Sequence, residues 1–285
     1  MEKMPLCPLR IWDECEVLST FFTEEDVIDN LIDKIKYCIF YYIYVSRLVL
    51  TMTSKEVVPQ DIFDKHLFQS ALYKVFLDKK LTYIHEGNRF RFFTFSDFFP
   101  SGKLIPRSSK KVIISSPSEE FIGILRESFS DSGLLMLGGK YIEVAAEIVD
   151  FKFSPKVFTS GSPVVLYKDN RSNTYFSLRR GDSLAFFFLR LKENALKRYR
   201  QFSEDTNFDL PHPIFDSSTF SKEVALMMTR RGKRFTIIGT VWSRLERFIV
   251  RRRDEPFYKF IMDAGLGEKP SLGFGFLNPV RAENA

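Results

Sequence analysis

The chain has 285 residues, 45% hydrophobic and 27% charged, the balance of a soluble globular protein with room for two ordinary domains or one large one. Its net charge of +6 favours an acidic partner, while the three cysteines, Cys7, Cys15 and Cys38, have no CxxC spacing and argue against a disulfide framework. The most apolar run, 37–50, is interrupted by Arg47 and falls short of the roughly 20 residues a spanning helix needs; no basic signal flank precedes it, so a cytoplasmic protein without a membrane partner is expected.

Residues 1–42 look unlike the rest and are set apart as an N-terminal extension of unknown role, with a helix opening at Thr23 and acids in its first turn. A strand rich in β-branched and aromatic residues follows at 41–52. Phe63, Leu67, Ala71 and Leu72 then recur at helical spacing and predict a helix over 63–76, ending near Lys79-Lys80. Strands are predicted at 91–99 and 112–115. Ser116-Pro117-Ser118-Glu119-Glu120 starts a second helix, with proline at its first position and acids in the first turn. Two strands, 134–136 and 141–153, complete a strand-helix-strand-strand-helix-strand order, the ferredoxin-like unit that RNA-recognition motifs also use.

Gly161-Ser162-Pro163 marks a junction after which the order begins again. A strand at 163–167 and a weak one near 175–178 precede a long helix over 184–202 carrying Arg190, Lys192, Lys197, Arg198 and Arg200. Strands at 224–229 and 235–242 flank the basic turn Arg230-Arg231-Gly232-Lys233-Arg234, and a short helix at 257–262 and a strand at 273–277 close the chain. The fold class expected is α+β: tandem ferredoxin-like (βαββαβ) domains with antiparallel sheets, the first over 43–158 and the second over 159–285.

Four of the 14 glycines, Gly265, Gly267, Gly273 and Gly275, fall within eleven positions between that short helix and the last strand. No lysine follows Gly273, which excludes a Walker loop, and Pro270 stands where a dinucleotide fingerprint needs its third glycine. Contact with a polyanion and a plain helix-to-strand turn both fit what remains. The histidines are His66, on the first helix, His212, in the rigid Leu210-Pro211-His212-Pro213 loop, and His85, in a loop near Gly87 where it is free to titrate. HExxH, GxSxG and clustered carboxylates at ligand spacing are missing, so neither a metal nor a cofactor is expected. Arg107, Lys110-Lys111, Arg179-Arg180, 230–234 and Arg251 to Arg253 are basic runs in loops and at strand ends, which together favour polyphosphate contact.

The closing run from Gly265 to Gly275 resembles the C-terminal signature of the CRISPR-associated repeat endoribonucleases, the Cas-six family of the repeat-associated RNA-binding superfamily. Leu72-Tyr73-Lys74, Ile84-His85-Glu86 and Phe92-Phe93-Thr94-Phe95-Ser96-Asp97 resemble that family's N-terminal block, and Ile113 to Pro117 and Ser160 to Pro163 its internal markers. The resemblance implies metal-independent cleavage of CRISPR precursor RNA within its repeats, by attack of a ribose 2′-hydroxyl that leaves a 2′,3′-cyclic phosphate and a 5′-hydroxyl. It implies His85 as general base and Tyr73 as the helix tyrosine of the catalytic set. Arg91 stands where archaeal relatives have a lysine; it can stabilise charge but does not readily exchange a proton. The glycine loop, with Lys269 and Ser271 as donors, and the turn residues Arg230, Arg231, Lys233 and Arg234 are the expected RNA contacts. Beyond the precursor RNA, a CRISPR effector complex and a homodimer are the partner arrangements this family suggests. The rival readings are a catalytically inactive RNA-binding relative acting as a guide-RNA or effector-complex subunit, and a ferredoxin-like module that binds proteins or small ligands.

Overall fold

The computed structural model describes residues 44–78, 91–153, 156–169, 174–230 and 233–280. The first sheet is built on β1 (Tyr44–Thr53), which lies between β3 (Lys110–Ser115) and β5 (Lys140–Lys152) and pairs with both in antiparallel register. The edges are β2 (Thr94–Phe95), beside β3, and β4 (Leu134–Leu137), beside β5. With β4 counted as an added hairpin strand, the order across the sheet is second, third, first, fourth, the arrangement of a ferredoxin-like unit.

Strand alternation sends Leu48, Leu50 and Met52 to one face of β1, where α1 (Lys65–Asp78) and α2 (Glu119–Ser132) cover them. The α1 stripe is Phe68, Leu72 and Phe76, one residue round from the expected Leu67 and Ala71, which are only half-buried. Each such side chain contributes roughly 1.5–3 kcal/mol by leaving water. Asp64 Oδ1 caps α1 by accepting from the backbone of His66 and Leu67, at 2.8 and 3.1 Å. Ser118 caps α2 through Phe121 N–H, so Pro117 precedes the cap instead of occupying the first helical position.

The second sheet repeats the pattern. Its strands are β6 (Val157–Ser160), β9 (Ser217–Arg230), β10 (Lys233–Glu246) and β11 (Leu277–Pro279), in the order β11-β6-β10-β9, all antiparallel. The helices α3 (Leu184–Ser203) and α4 (Glu255–Ala264) cover one face through Phe187, Leu191, Tyr199, Phe257 and Ile261, packed with Trp242 and Leu245. A separate hairpin of β7 (Tyr167–Asp169) and β8 (Thr174–Tyr175) is inserted before α3. The tandem ferredoxin-like α+β fold is therefore present. Among the described residues no helix is long and apolar enough to cross a membrane.

Several strand expectations are corrected. The strand at 91–99 shrinks to Thr94–Phe95, because Asp97 N–H donates to Gly161 O in the other half of the molecule. The second sheet begins with Val157–Ser160, not 163–167: Pro163 has no N–H to give, and Val164 meets Thr240 only at an isolated bridge. The weak strand near 175–178 is β8 of the inserted hairpin, followed by a 3₁₀ turn. The closing strand is Leu277–Pro279, since Gly273 and Gly275 take φ values of 78° and 66° that no strand accommodates. Residues 1–42, Lys79-Lys80 and His85 lie outside the described residues.

Candidate functional site

The two halves meet where α1 of the first lies along the glycine-rich loop of the second. Lys65, Gln69 and Tyr73 are spaced four apart on α1 and so share one face. Lys65 Nζ donates to Gly273 O at 2.6 Å and pairs with Asp97 Oδ1 at the same distance. Burial among the Phe95 and Phe274 rings lowers its pKa, against the opposing pull of Asp97. Gln69 Nε2 donates to Ser271 O at 2.9 Å. One turn on, the Tyr73 hydroxyl lies near the Ser271 hydroxyl, which pulls its pKa down. The helix thus follows the loop in antiparallel order, Lys65 on Gly273 and Gln69 on Ser271, with Tyr73 one turn beyond.

The Arg91 guanidinium carbon sits 5.8 Å from the centre of the Tyr73 ring, which also meets Phe76 and Phe93 edge-on. Burial pushes the Tyr73 hydroxyl above the ordinary phenol range; the Arg91 charge and the nearby Ser271 hydroxyl oppose that shift without cancelling it. Tyr73 is therefore a phenol at neutral pH. A buried phenol, a guanidinium and a loop hydroxyl can together donate to an anionic oxygen, but none of the three is a base. The expected base, His85, belongs to the 79–90 segment outside the described residues, so the structure brings together Tyr73, Arg91 and Ser271.

The loop itself is held from within. Arg198 is buried on α3 and donates to Ala264 O and Gly265 O at 2.6 and 2.7 Å, placing a cation on the orphan carbonyls that end α4. Burial lowers its pKa to about 10, which leaves it charged at neutrality. Leu266 N–H donates to Gly275 O, and Gly275 N–H to Pro163 O, both at 2.8 Å. Methyl groups at Gly273 and Gly275 would lie 2.2 Å from the Phe95 ring and 1.8 Å from Leu266 O. Gly267 would meet Val165 O and Gly265 would meet Thr94 in the same way. All four glycines are buried against protein, while Lys269 and Ser271 between them are partly exposed.

The basic turn lies at the free end of the long β9–β10 hairpin, where Arg230 is in register with Lys233. Arg234 is exposed, and Arg231 lies outside the described residues. His212 is held structurally, its ring nitrogens 2.9 Å from Pro213 O and 3.3 Å from Asp254 Oδ2. His66 is half-buried in the first turn of α1. Among the described residues no group of three His, Cys, Asp or Glu side chains could hold a metal. Lys65, Gln69 and Arg198 were not anticipated as parts of the site. The four-residue spacing of Lys65, Gln69 and Tyr73 was the available signal, a polar stripe beside the apolar one.

Residues 146–279 match the family model described as CRISPR associated protein Cas6, C-terminal. The chain is 36% identical over 247 residues to CRISPR-associated endoribonuclease Cas6 2 of Methanocaldococcus jannaschii, covering 82% of this chain and 100% of that protein. It is 26% identical over 256 residues to CRISPR-associated endoribonuclease Cas6 1 of the same organism, covering 84% of this chain and 93% of that one. A solved structure described as CRISPR associated protein Cas6 matches with a TM-score of 0.61 at 21% identity, over 84% of this chain and 100% of its own, a likeness of fold.

Proposed function

The chain belongs to the Cas6 family of CRISPR-associated endoribonucleases, and from that premise we propose that it cuts CRISPR precursor RNA within its repeats without a metal ion. His85 takes the proton from the ribose 2′-hydroxyl next to the scissile phosphate. The 2′-oxygen forms a bond to phosphorus, the bond from phosphorus to the 5′-oxygen breaks, and the products carry a 2′,3′-cyclic phosphate and a 5′-hydroxyl. Tyr73, kept protonated by burial, supplies the proton that the leaving 5′-oxygen needs. Arg91 stabilises the charge that develops on the phosphoryl oxygens. Ser271 and Lys269 hold RNA phosphates, and Arg230, Arg231, Lys233 and Arg234 extend the grip along the hairpin. The four loop glycines keep the loop backbone at the RNA interface. In this reading the first domain, expected over 43–158, supplies the chemistry; the second, which β6 already opens at Val157, supplies most of the RNA grip, and the enzyme works in the cytoplasm.

The observation that carries the proposal is the convergence of Tyr73, Arg91 and Ser271 at the junction of α1 and the glycine loop, next in the chain to the segment that contains His85. Incubating the protein with a labelled repeat RNA in EDTA is the direct test. The expected result is a single cut, abolished by a 2′-deoxy sugar before the scissile phosphate and slowed about 10²–10⁴-fold by His85→Ala. Cleavage of the deoxy substrate, or wild-type rates from His85→Ala, would overturn the mechanism.

A further inference from the structure

On the far side of Lys269 from Ser271 the loop meets the inserted β7–β8 hairpin. Tyr167 and Tyr175 are cross-strand partners there, and their rings stack with centroids 4.9 Å apart and planes 17° from parallel. Both rings are partly exposed. Tyr175 rests on a small buried cluster of Val165, Met228, Ile237 and Phe274, which fixes the pair from behind. The Lys269 ammonium lies 5.3 Å from the centre of the Tyr167 ring and near enough to the Tyr175 hydroxyl to pull its pKa down. Burial and the neighbouring Tyr167 hydroxyl outweigh that pull and push it up to about 12, so it remains a donor.

Two details separate this cluster from an ordinary surface hairpin. Lys168, next to Tyr167, is paired with Asp182 at 2.5 Å, whereas among the described residues Lys269 pairs with no carboxylate. Its charge is held on aromatic rings and is left available to an anion. Lys269 also takes φ 58° and ψ 37°, a left-handed conformation uncommon for a residue with a Cβ, in a loop that uses glycine for its other positive angles. Aromatic faces with an adjacent uncompensated cation are the equipment of single-stranded nucleic-acid sites, where bases stack and phosphates meet lysine. Two residues along, the Ser271 hydroxyl lies near that of Tyr73. The cluster therefore flanks the proposed reaction centre on a single short turn of chain.

We propose that Tyr167, Tyr175 and Lys269 form a subsite for one nucleotide flanking the cut, its base stacked on the tyrosine pair and its phosphate on the lysine. This rests on the endoribonuclease reading and extends it to the inserted hairpin. The tyrosine pair positions substrate and takes no part in the chemistry, so loss of its stacking face should appear in binding while the single-turnover rate at saturating RNA stays near that of the wild type.

The test uses the full chain and a repeat RNA made uncleavable by a 2′-deoxy sugar before the scissile phosphate. A set of such RNAs each lacks one base near the cut. For the wild type, one abasic position should weaken binding roughly tenfold. Tyr167→Ala should weaken binding of the intact RNA by a similar factor and show no further loss at that abasic position, while Tyr167→Phe keeps wild-type behaviour. Lys269→Gln should lower the slope of log affinity against log salt by about 0.7, a readout that stands even where Tyr167→Ala disturbs the hairpin. Penalties that simply add at every abasic position, or an unchanged salt slope in Lys269→Gln, overturn the subsite. A wild type that neither binds nor cuts the repeat overturns the functional reading and the subsite with it; a wild type that does both, with additive penalties, overturns the subsite alone.

Discussion

The glycine-rich loop has two sides built on different rules. Gly265, Gly267, Gly273 and Gly275 face protein so closely that no side chain fits, and their neighbours come from both halves: Phe95 and Thr94 from the first, Leu266 and Val165 from the second. Lys269 and Ser271 lie between the two glycine pairs and are partly exposed, Lys269 against the Tyr167 ring and Ser271 near the Tyr73 hydroxyl. The glycines set the loop's path, and that path decides where two polar side chains are presented. A glycine-rich signature beside a lysine reads as an anion cradle, yet in this fold the glycines act first as spacers between packed layers. Substitutions on the inner side should therefore destroy the fold, and those on the outer side should spare it and change only function.

The largest effect is expected at Gly275. A methyl group there would sit 1.8 Å from a backbone oxygen, at a φ of 66°, and neither the oxygen nor the angle can yield cheaply. Gly275→Ala should lose more than about 4 kcal/mol of stability, read from the denaturant midpoint, or fail to accumulate as soluble protein. An alanine variant of near wild-type stability would show that the loop's inner side is not packed as described.

Arg198 tests the same side through charge in place of volume. It is the donor for the last carbonyls of α4, and Arg198→Met keeps the stem while leaving Ala264 O and Gly265 O without that partner. A loss of about 2–4 kcal/mol is expected by equilibrium unfolding. An unchanged midpoint would mean that water or a local shift satisfies those carbonyls and that the arginine serves another purpose.

How much of this was legible beforehand follows from the range of the forces involved. Helices α2 and α3 announce themselves through local periodicity and lie within a few residues of expectation, while the long hairpin strands run past it, β9 beginning at Ser217 in place of 224 and β10 ending at Glu246 in place of 242. The errors fall where a distant segment competes for the backbone. Asp97 gives its N–H to Gly161, and the 273–276 stretch is bent by contacts with Pro163 and Ser162, so the strands expected there are cut short or moved. Tyr73 was readable as a candidate site residue through the family resemblance alone. Gln69 and Ser271 could not be paired from sequence, because 202 residues separate them and their contact exists only once both halves are folded. Tyr167 and Tyr175 were hidden for a related reason: the hairpin is inserted into the second repeat, between β6 and α3, and is no part of the repeating pattern.

On the outer side, Ser271→Ala removes a hydroxyl that accepts from Gln69 and lies near Tyr73, while the Ser271 carbonyl still accepts from Gln69. Stability should change by less than about 1 kcal/mol. Single-turnover cleavage should fall several-fold, because the site then loses a donor to the RNA phosphate beside Tyr73. A loss of stability comparable to that of Arg198→Met, with cleavage intact, would erase the distinction between the two sides.

The smallest and sharpest test is the pH profile. Cleavage should rise with pH as an imidazole base loses its proton near neutrality. The descending limb set by Tyr73 should lie above the ordinary phenol value of about 10, because burial favours the neutral hydroxyl in the folded protein. The sign of the Arg91 contribution adds a second check. Its positive charge favours the phenolate and so pulls the Tyr73 pKa down against burial. Arg91→Gln should then lower the rate at its plateau, through lost charge stabilisation, and yet move the descending limb to higher pH. A limb that moves to lower pH would mean that Arg91 does not act on Tyr73, and that the two are neighbours without being parts of one site.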